Sequence, residues 1–122
     1  MKLKVNVDKK VLKNDGVSLA YVEVSIVDNN EILNSVGEDL ISFNLQDTEA
    51  GKIAGVDNGD QATVDKFQQK SVLIREDYAV IKAYRGKALA IISSKNKEGI
   101  IKLTVSGGDL GTFETSINVV SQ

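Results

Sequence analysis

The stretch that decides the fold is AYRGKALAII, residues 83–92. A glycine turn, Arg85-Gly86, stands directly before a run in which both alternating sets of positions are apolar. A strand with one buried face alternates polar and apolar residues, whereas a run that is apolar on both faces is typical of a strand covered on both sides. We therefore predict a central strand over 87–94, buried on both faces.

A second informative stretch is GKIAGVDNGD, residues 51–60. It predicts a short strand over 51–56, in which the isolated Gly55 indicates a bulge or a close backbone approach. Asp57-Asn58-Gly59-Asp60 closes the strand as a turn, since Asn58-Gly59 tolerates positive φ. Its two carboxylates also suggest acid–base or metal chemistry. Because the sequence contains no histidine that could pair with either carboxylate, we favour a solvated turn.

Alternation at period two runs through most of the remaining chain. Leu19–Val27 is the clearest strand, and Leu40–Leu45 follows it. The segments 71–75 and 78–84 have the pattern of a hairpin across Glu76-Asp77. Further alternating strands lie at 2–8, 101–105 and 113–119, the last with Phe113 facing inward. Strands about ten residues apart, with turn residues between them, predict an all-β antiparallel sandwich.

Length and composition exclude several classes of function. The 122 residues predict a single domain, 1–122, with 42% hydrophobic and 26% charged residues. A net charge of −2 provides no basic surface for nucleic acid. No run of about 18 apolar residues and no charged-then-apolar leader is present, so we expect no membrane insertion. We expect a cytosolic protein or a piece excised from a longer secreted chain.

Three of the residue types that the chain lacks bear directly on function. Without His and Cys, the chain lacks the commonest general base, the commonest metal ligand and the thiolate nucleophile. We therefore predict no catalytic residue, no cofactor and no metal site, and a stand-alone enzyme is the least favoured hypothesis because no nucleophile–base pair is visible. Without Trp, the best platform for stacking a sugar is absent as well.

Three local features have an ordinary and a functional interpretation. The lysine-rich N-terminal stretch protects an edge strand against aggregation or forms a basic patch, and we favour the edge strand. The turn at residues 28–31 has the oxygen spacing of a partial calcium loop, but it lacks the glycine and the distal glutamate of a complete one. Residues 62–70 contain a candidate helical turn, with Phe67 as a plug over one end of the core.

The two central stretches carry a family resemblance. Residues 51–60, the pattern Asp65-x-Phe67 and residues 83–92 together resemble the immunoglobulin-like domain that lies C-terminal to the catalytic barrel in bacterial family 2 glycoside hydrolases, mostly β-galactosidases. The likeness covers nearly the whole chain. Two departures are Gln61, where the family often has Pro, and an apparent insertion within 68–82.

The resemblance implies an immunoglobulin-like antiparallel β-sandwich of about seven to nine strands. It also implies a noncatalytic accessory domain, since the family's catalytic glutamates lie in the barrel. The implied partners are neighbouring domains of a parent enzyme of carbohydrate metabolism. We further expect a monomer when the domain is isolated, and an extracellular or cell-surface location, with the cytoplasm as the alternative.

Two other functions stay open at this point. A carbohydrate-binding module needs convergent polar groups, which Asp57, Asn58, Tyr84 and Arg85 provide if the two glycine turns lie at the same end of the sandwich. An adhesin-type surface spacer needs only the fold. The candidate contact residues, for a ligand or for a neighbouring domain, are Asp57, Asn58, Asp60, Tyr84 and Arg85.

Overall fold

The structure is a computed structural model that describes residues 2–30, 32–33, 40–46, 49–57 and 71–121, with the backbone alone for 71–74. Within these residues the chain forms ten strands and one short 3-10 helix, Gly108–Leu110. None of the helical structure described there is long and apolar enough to cross a membrane. The strands are β1 (Lys2–Val7), β2 (Val11–Lys13), β3 (Leu19–Val27), β4 (Leu40–Leu45), β5 (Gly51–Asp57), β6 (Ser71–Ile74), β7 (Tyr78–Lys82), β8 (Lys87–Ser94), β9 (Gly99–Ser106) and β10 (Thr112–Val120).

The strands form two sheets. One has four strands in the order β1-β3-β8-β5, and the other has six in the order β2-β10-β9-β4-β7-β6. The pairings are antiparallel, as predicted, except that β2 runs parallel to β10. Consecutive strands β1 and β2 therefore lie in different sheets, and this crossing joins the two layers at one edge. The additional strand, compared with the sequence pattern, is β2.

The core lies between the sheets and is built by the alternation visible in the sequence. Val22, Val24 and Ile92 enter it from the four-stranded sheet, and all three are buried. Phe43, its largest side chain, enters from β4 and is fully buried. Each inward residue alternates with an outward one because successive side chains of a strand point to opposite faces. Phe113 departs from its predicted inward position and is 37% exposed.

Strand β8 occupies the predicted central place, between β3 and β5. Its inward side chains Ala88, Ala90 and Ile92 are buried. The prediction that both faces are buried was wrong for this chain: Leu89 and Ile91 are half-buried, because no described layer covers the outer face of the four-stranded sheet.

Several local predictions are confirmed. The register of β5 on β8 shifts between Ile53 and Gly55, which places a bulge where the isolated glycine indicated one. The lysine-rich β1 is an edge strand. The carboxylate Oδ1 of Asp28 accepts hydrogen bonds from the backbone N–H groups of Asn30 and Ile32, as in an ordinary polar turn.

The predicted hairpin across Glu76-Asp77 is confirmed as β6 and β7, which pair antiparallel. The apparent insertion therefore belongs to the six-stranded sheet, where Ala79 and Ile81 of β7 are fully buried in the core. The proposed helical turn at 62–70, with Phe67, lies outside the described residues.

Candidate functional site

The turn that precedes β8 is tight, with two central residues, and it leads from the six-stranded sheet to the four-stranded one. Arg85 and Gly86 both have positive φ, 52° and 80°. Tyr84 N–H donates to the Lys87 carbonyl at 2.9 Å, and Lys87 N–H donates back to the Tyr84 carbonyl at 3.1 Å. Glycine suits one of the two central positions because it adopts positive φ without steric cost. The Gly86 carbonyl accepts from Ile26 N–H at 2.8 Å and fixes the turn to β3.

The side chains of this turn contact each other. The Arg85 guanidinium carbon lies 5.3 Å from the centroid of the Tyr84 ring, within the range of a cation–π contact. One face of the ring is therefore covered by Arg85. The pair presents a positive charge and an aromatic edge at this end of the sandwich.

Asp57 lies at the same end, on the other side of β8. It is the last residue of β5 and is directly opposite Leu89, which is opposite Glu23 of β3 in turn. Residues directly opposite in an antiparallel pair share one face of the sheet. The three side chains therefore form a row on the outer face, with Leu89 between two carboxylates.

A shallow cleft of about 260 Å³ follows this row. It is lined by Glu23, Ser25, Asp57, Lys87 and Leu89, together with parts of the two strands beneath them. Lys87 adds a positive charge at the rim next to the turn. An apolar centre with charges of both signs around it is the usual composition of a protein contact surface.

The structure thus brings together three of the five predicted contact residues. Asp57, Tyr84 and Arg85 lie at the same end of the sandwich, the arrangement on which their convergence depended. Asn58 and Asp60 lie outside the described residues. That any of the five contacts a ligand or a neighbouring domain stays a prediction.

The sequence interpretation missed Glu23, Lys87 and Leu89. The alternation of β3 and β8 already places all three on the outward positions of their strands. Their proximity to Asp57 depends on the register of three strands that are distant in sequence, and no local pattern specifies that register.

A second concave surface lies on the outer face of the six-stranded sheet. It has a volume of about 650 Å³ and is lined mainly by polar side chains, namely Asn44, Gln46, Lys102, Thr104, Glu114, Thr115 and Ser116. Within the described part of the chain no aromatic side chain lines it, so a sugar there would find hydrogen-bonding groups without a stacking platform from these residues.

Two carboxyl groups with a lowered pKa lie away from both concave surfaces. The backbone N–H of Val17, assisted by the N–H and hydroxyl of Ser18 and the hydroxyl of Ser94, lowers the pKa of Asp15. Asp15 thereby ties the β2–β3 connection to the end of β8. The hydrogen bond and charge of Lys95, whose Nζ lies 3.0 Å from the carboxylate, lower the pKa of Glu76. Each of the two carboxylates therefore holds a loop in place.

The described acidic side chains of these surfaces do not form a metal-binding cluster. Among the described residues, no group of three or more His, Asp or Glu side chains is arranged to hold a metal ion. The outer face of the four-stranded sheet offers charges, hydrogen-bonding groups and apolar side chains.

Comparisons with known proteins identify relatives of the whole chain. Residues 3–116 match the family described as glycoside hydrolase family 2 C-terminal domain 5. The β-galactosidase BoGH2A of Bacteroides ovatus is 31% identical over 108 residues, which are 88% of this chain and 11% of that protein. A solved family 2 glycosyl hydrolase of Bacteroides cellulosilyticus superposes with a TM-score of 0.80 at 23% identity, over 98% of this chain and 14% of its own. A β-glycosidase from Bacteroides vulgatus gives 0.75 at 22% identity, over 97% and 14%.

The two solved structures confirm the predicted immunoglobulin-like β-sandwich. The chain spans only 11–14% of the length of these relatives, each of which contains much more than this fold. The family match, by contrast, runs over nearly all of the 122 residues. This chain belongs to the C-terminal domain 5 family of the family 2 glycoside hydrolases.

Proposed function

We propose that the chain is a noncatalytic accessory domain of a bacterial family 2 glycoside hydrolase resembling a β-galactosidase. In this proposal residues 1–122 are a single domain within a longer chain, and they act by packing against neighbouring domains. The observation that carries the proposal is the family match over residues 3–116. In the relatives, the matching segment makes up only 11–14% of the whole chain.

The side-chain chemistry supports a noncatalytic role. A glycoside hydrolase generally needs a pair of carboxyl groups set across a sugar site, at about 5–5.5 Å in retaining enzymes or 6.5–9.5 Å in inverting ones. In the cleft, Asp57 and Glu23 lie on opposite sides of Leu89, whose apolar side chain stands between the two carboxylates. Their geometry suits a charged rim around an apolar contact.

The parent enzyme would place the domain in carbohydrate metabolism. An extracellular or cell-surface location and a monomeric isolated domain belong to the same proposal. Cell fractionation of the source bacterium tests the first, and sedimentation of the 122-residue chain tests the second.

Hydrolysis by the full-length gene product tests the proposal. The purified full-length protein is assayed on an aryl β-galactoside beside the 122-residue chain at equal molarity. We expect turnover by the full-length protein and none by the 122-residue chain. Turnover by the short chain, or a full-length product without hydrolase activity on any aryl glycoside, would overturn the proposal.

Carbohydrate binding is the second candidate. It is supported by the position of Asp57 at the same end as the Tyr84–Arg85 turn. Titration of the isotope-labelled chain with lactose and with a galactan, followed by backbone amide shifts, tests it. Saturable shifts centred on Asp57 and Tyr84–Gly86 would establish it, whereas a spectrum unchanged at millimolar sugar would exclude it.

A further inference from the structure

The outer face of the four-stranded sheet has an apolar centre. The registers of β3, β5 and β8 place Tyr21 beside Ile91, and Ile91 beside Gly55. In the next row Leu89 lies between Glu23 and Asp57. The centre of this face is thus Tyr21, Leu89 and Ile91, and charged side chains surround it.

The opposite outer face of the molecule differs in composition. The middle of the six-stranded sheet presents Asn44, Lys102, Thr104 and Glu114. Its strongly exposed apolar residues lie at strand ends, for example Ile100 at 54%. On the four-stranded sheet the apolar residues are instead contiguous and central: Tyr21 is 39% exposed, and Leu89 and Ile91 are half-buried.

Gly55 adds a second, independent observation. A Cβ built on Gly55 meets no atom of the described residues within 4 Å, so their packing does not require glycine there. Gly55 is also absent from the residues with positive φ, so the backbone does not require it either. Gly55 stands at the bulge of β5, and because it has no side chain it leaves the surface beside Ile91 open.

We propose that this face, with Tyr21, Leu89 and Ile91 at its centre, is the docking surface for a neighbouring domain of the same longer chain. Gly55, which has no side chain, leaves room for the neighbour beside Ile91, and the apolar contact is bordered by Glu23, Asp57 and Lys87. This inference rests on the proposed function, since it needs a longer parent chain.

A neighbouring domain fits the composition of the face. Interfaces between domains of one chain cover about 600–1,500 Å² and are more polar than the interfaces of obligate dimers. A small apolar centre with mixed charges around it belongs to the first kind. The relatives also supply the occupant, because the matching segment lies in chains about seven to nine times longer than itself.

Hydroxyl-radical footprinting of the full-length protein tests the proposal, with the 122-residue chain as reference. Oxidation reports the solvent exposure of individual side chains. We expect oxidation of Tyr21, Leu89 and Ile91 to fall several-fold in the full-length protein. Ile100, on the other outer face, should be oxidised equally in both proteins. Equal oxidation of the three central residues in both proteins would overturn the proposal.

A variant pair makes the test specific. Gly55→Arg places a long side chain in open space, so the 122-residue chain should keep its unfolding midpoint while the full-length protein regains oxidation at Ile91. Ser116→Arg, an exposed position on the six-stranded sheet, is the matched control and should leave the footprint unchanged. A footprint of Gly55→Arg equal to that of the unaltered full-length protein would contradict the docking surface.

The outcomes separate this inference from the proposed function. A full-length product without hydrolase activity removes the proposed function, and the docking surface with it. An active full-length hydrolase in which Ile91 stays as exposed as in the short chain removes the docking surface alone. Protection of Ile91 that grows with the concentration of the 122-residue chain would show a second copy on this face, and would overturn the assignment to a neighbouring domain.

Discussion

Gly51 and Gly55 of β5 differ in the room that surrounds their Cα atoms. A Cβ on Gly51 would lie 2.9 Å from Cγ1 of Ile101 and 3.0 Å from the Ser93 carbonyl oxygen, and the latter is backbone that cannot rotate away. Gly51 allows β5 to lie close to the core, whereas Gly55 faces open space. The packing of the core thus requires glycine at position 51, whereas Gly55 leaves room for a contact on the outer face.

We predict that Gly51→Ala lowers the free energy of unfolding by about 1–3 kcal/mol, the usual cost of forcing a group into a filled core. Gly55→Ala should be neutral, or should stabilise by about 0.4–1 kcal/mol because it restricts the unfolded chain. Urea denaturation of both variants measures the difference. Equal destabilisation by the two substitutions would contradict the packing at Gly51.

The Arg85-Gly86 turn depends on left-handed backbone. Gly86→Ala keeps the turn's hydrogen bonds but adds a Cβ at φ 80°, which costs about 1–2 kcal/mol. Arg85→Gly should offset part of that cost, since Arg85 itself stands at φ 52°. Thermal unfolding of the two variants and their combination measures both effects. A Gly86→Ala variant as stable as the parent chain would mean that the turn adopts another form.

Stability should depend on acid through Asp15 and Glu76. Both have a pKa below their ordinary values of 3.8 and 4.5 in the folded chain, so each contributes stability above its unfolded pKa. That contribution disappears as the pH falls from the ordinary value through the lower, folded value. We expect the double variant Asp15→Asn, Glu76→Gln to lose less stability between pH 5 and pH 3 than the parent chain. Urea midpoints across that range test this, and identical losses would exclude the two carboxyls as the cause.

At the scale of elements, the sequence predicts best where the signal is local. Strands β3 and β4 follow from alternation alone, and the bulge in β5 follows from one glycine. Strand β2 was missed because it has three residues and one buried side chain, Leu12, and because its partner β10 lies at the other end of the chain. Pairing between distant segments leaves no local pattern.

Strand β8 shows a related limit. Its doubly apolar pattern correctly predicted a central position in the sheet, but the outer face is only half-buried within this chain. A sequence pattern records every surface that covers a strand, including those that other domains supply. For the candidate site, Asp57 and the Tyr84–Arg85 turn were foreseen, whereas Glu23 and Lys87 required the register.

The β6–β7 hairpin is part of the sandwich. We predict that Ile81→Ala costs about 2–5 kcal/mol, as expected for a fully buried side chain on a core strand. Val80→Ala, at the neighbouring outward position, should cost much less. Chemical denaturation compares the two. A small effect of Ile81→Ala would instead indicate that the segment is an inserted loop outside the core.

At the scale of the whole molecule, the two outer faces of the sandwich differ in composition. The six-stranded sheet presents a polar, solvated groove, and the four-stranded sheet presents an apolar centre beside Gly55. A domain with its own buried core and one contact face can stiffen a larger enzyme without supplying catalytic groups. We propose that use for this chain, which matches a C-terminal domain family and covers a small share of its relatives' length.

The measurement that tests this use most directly is calorimetric unfolding of the full-length protein beside the 122-residue chain. A domain that packs against neighbours gains their contact energy, and its unfolding shifts to higher temperature. We predict that residues 1–122 unfold at a higher midpoint within the full-length protein than alone, and that Gly55→Arg removes the difference. Identical midpoints for the free chain and the same segment in the full-length protein would contradict a role as a packed accessory domain.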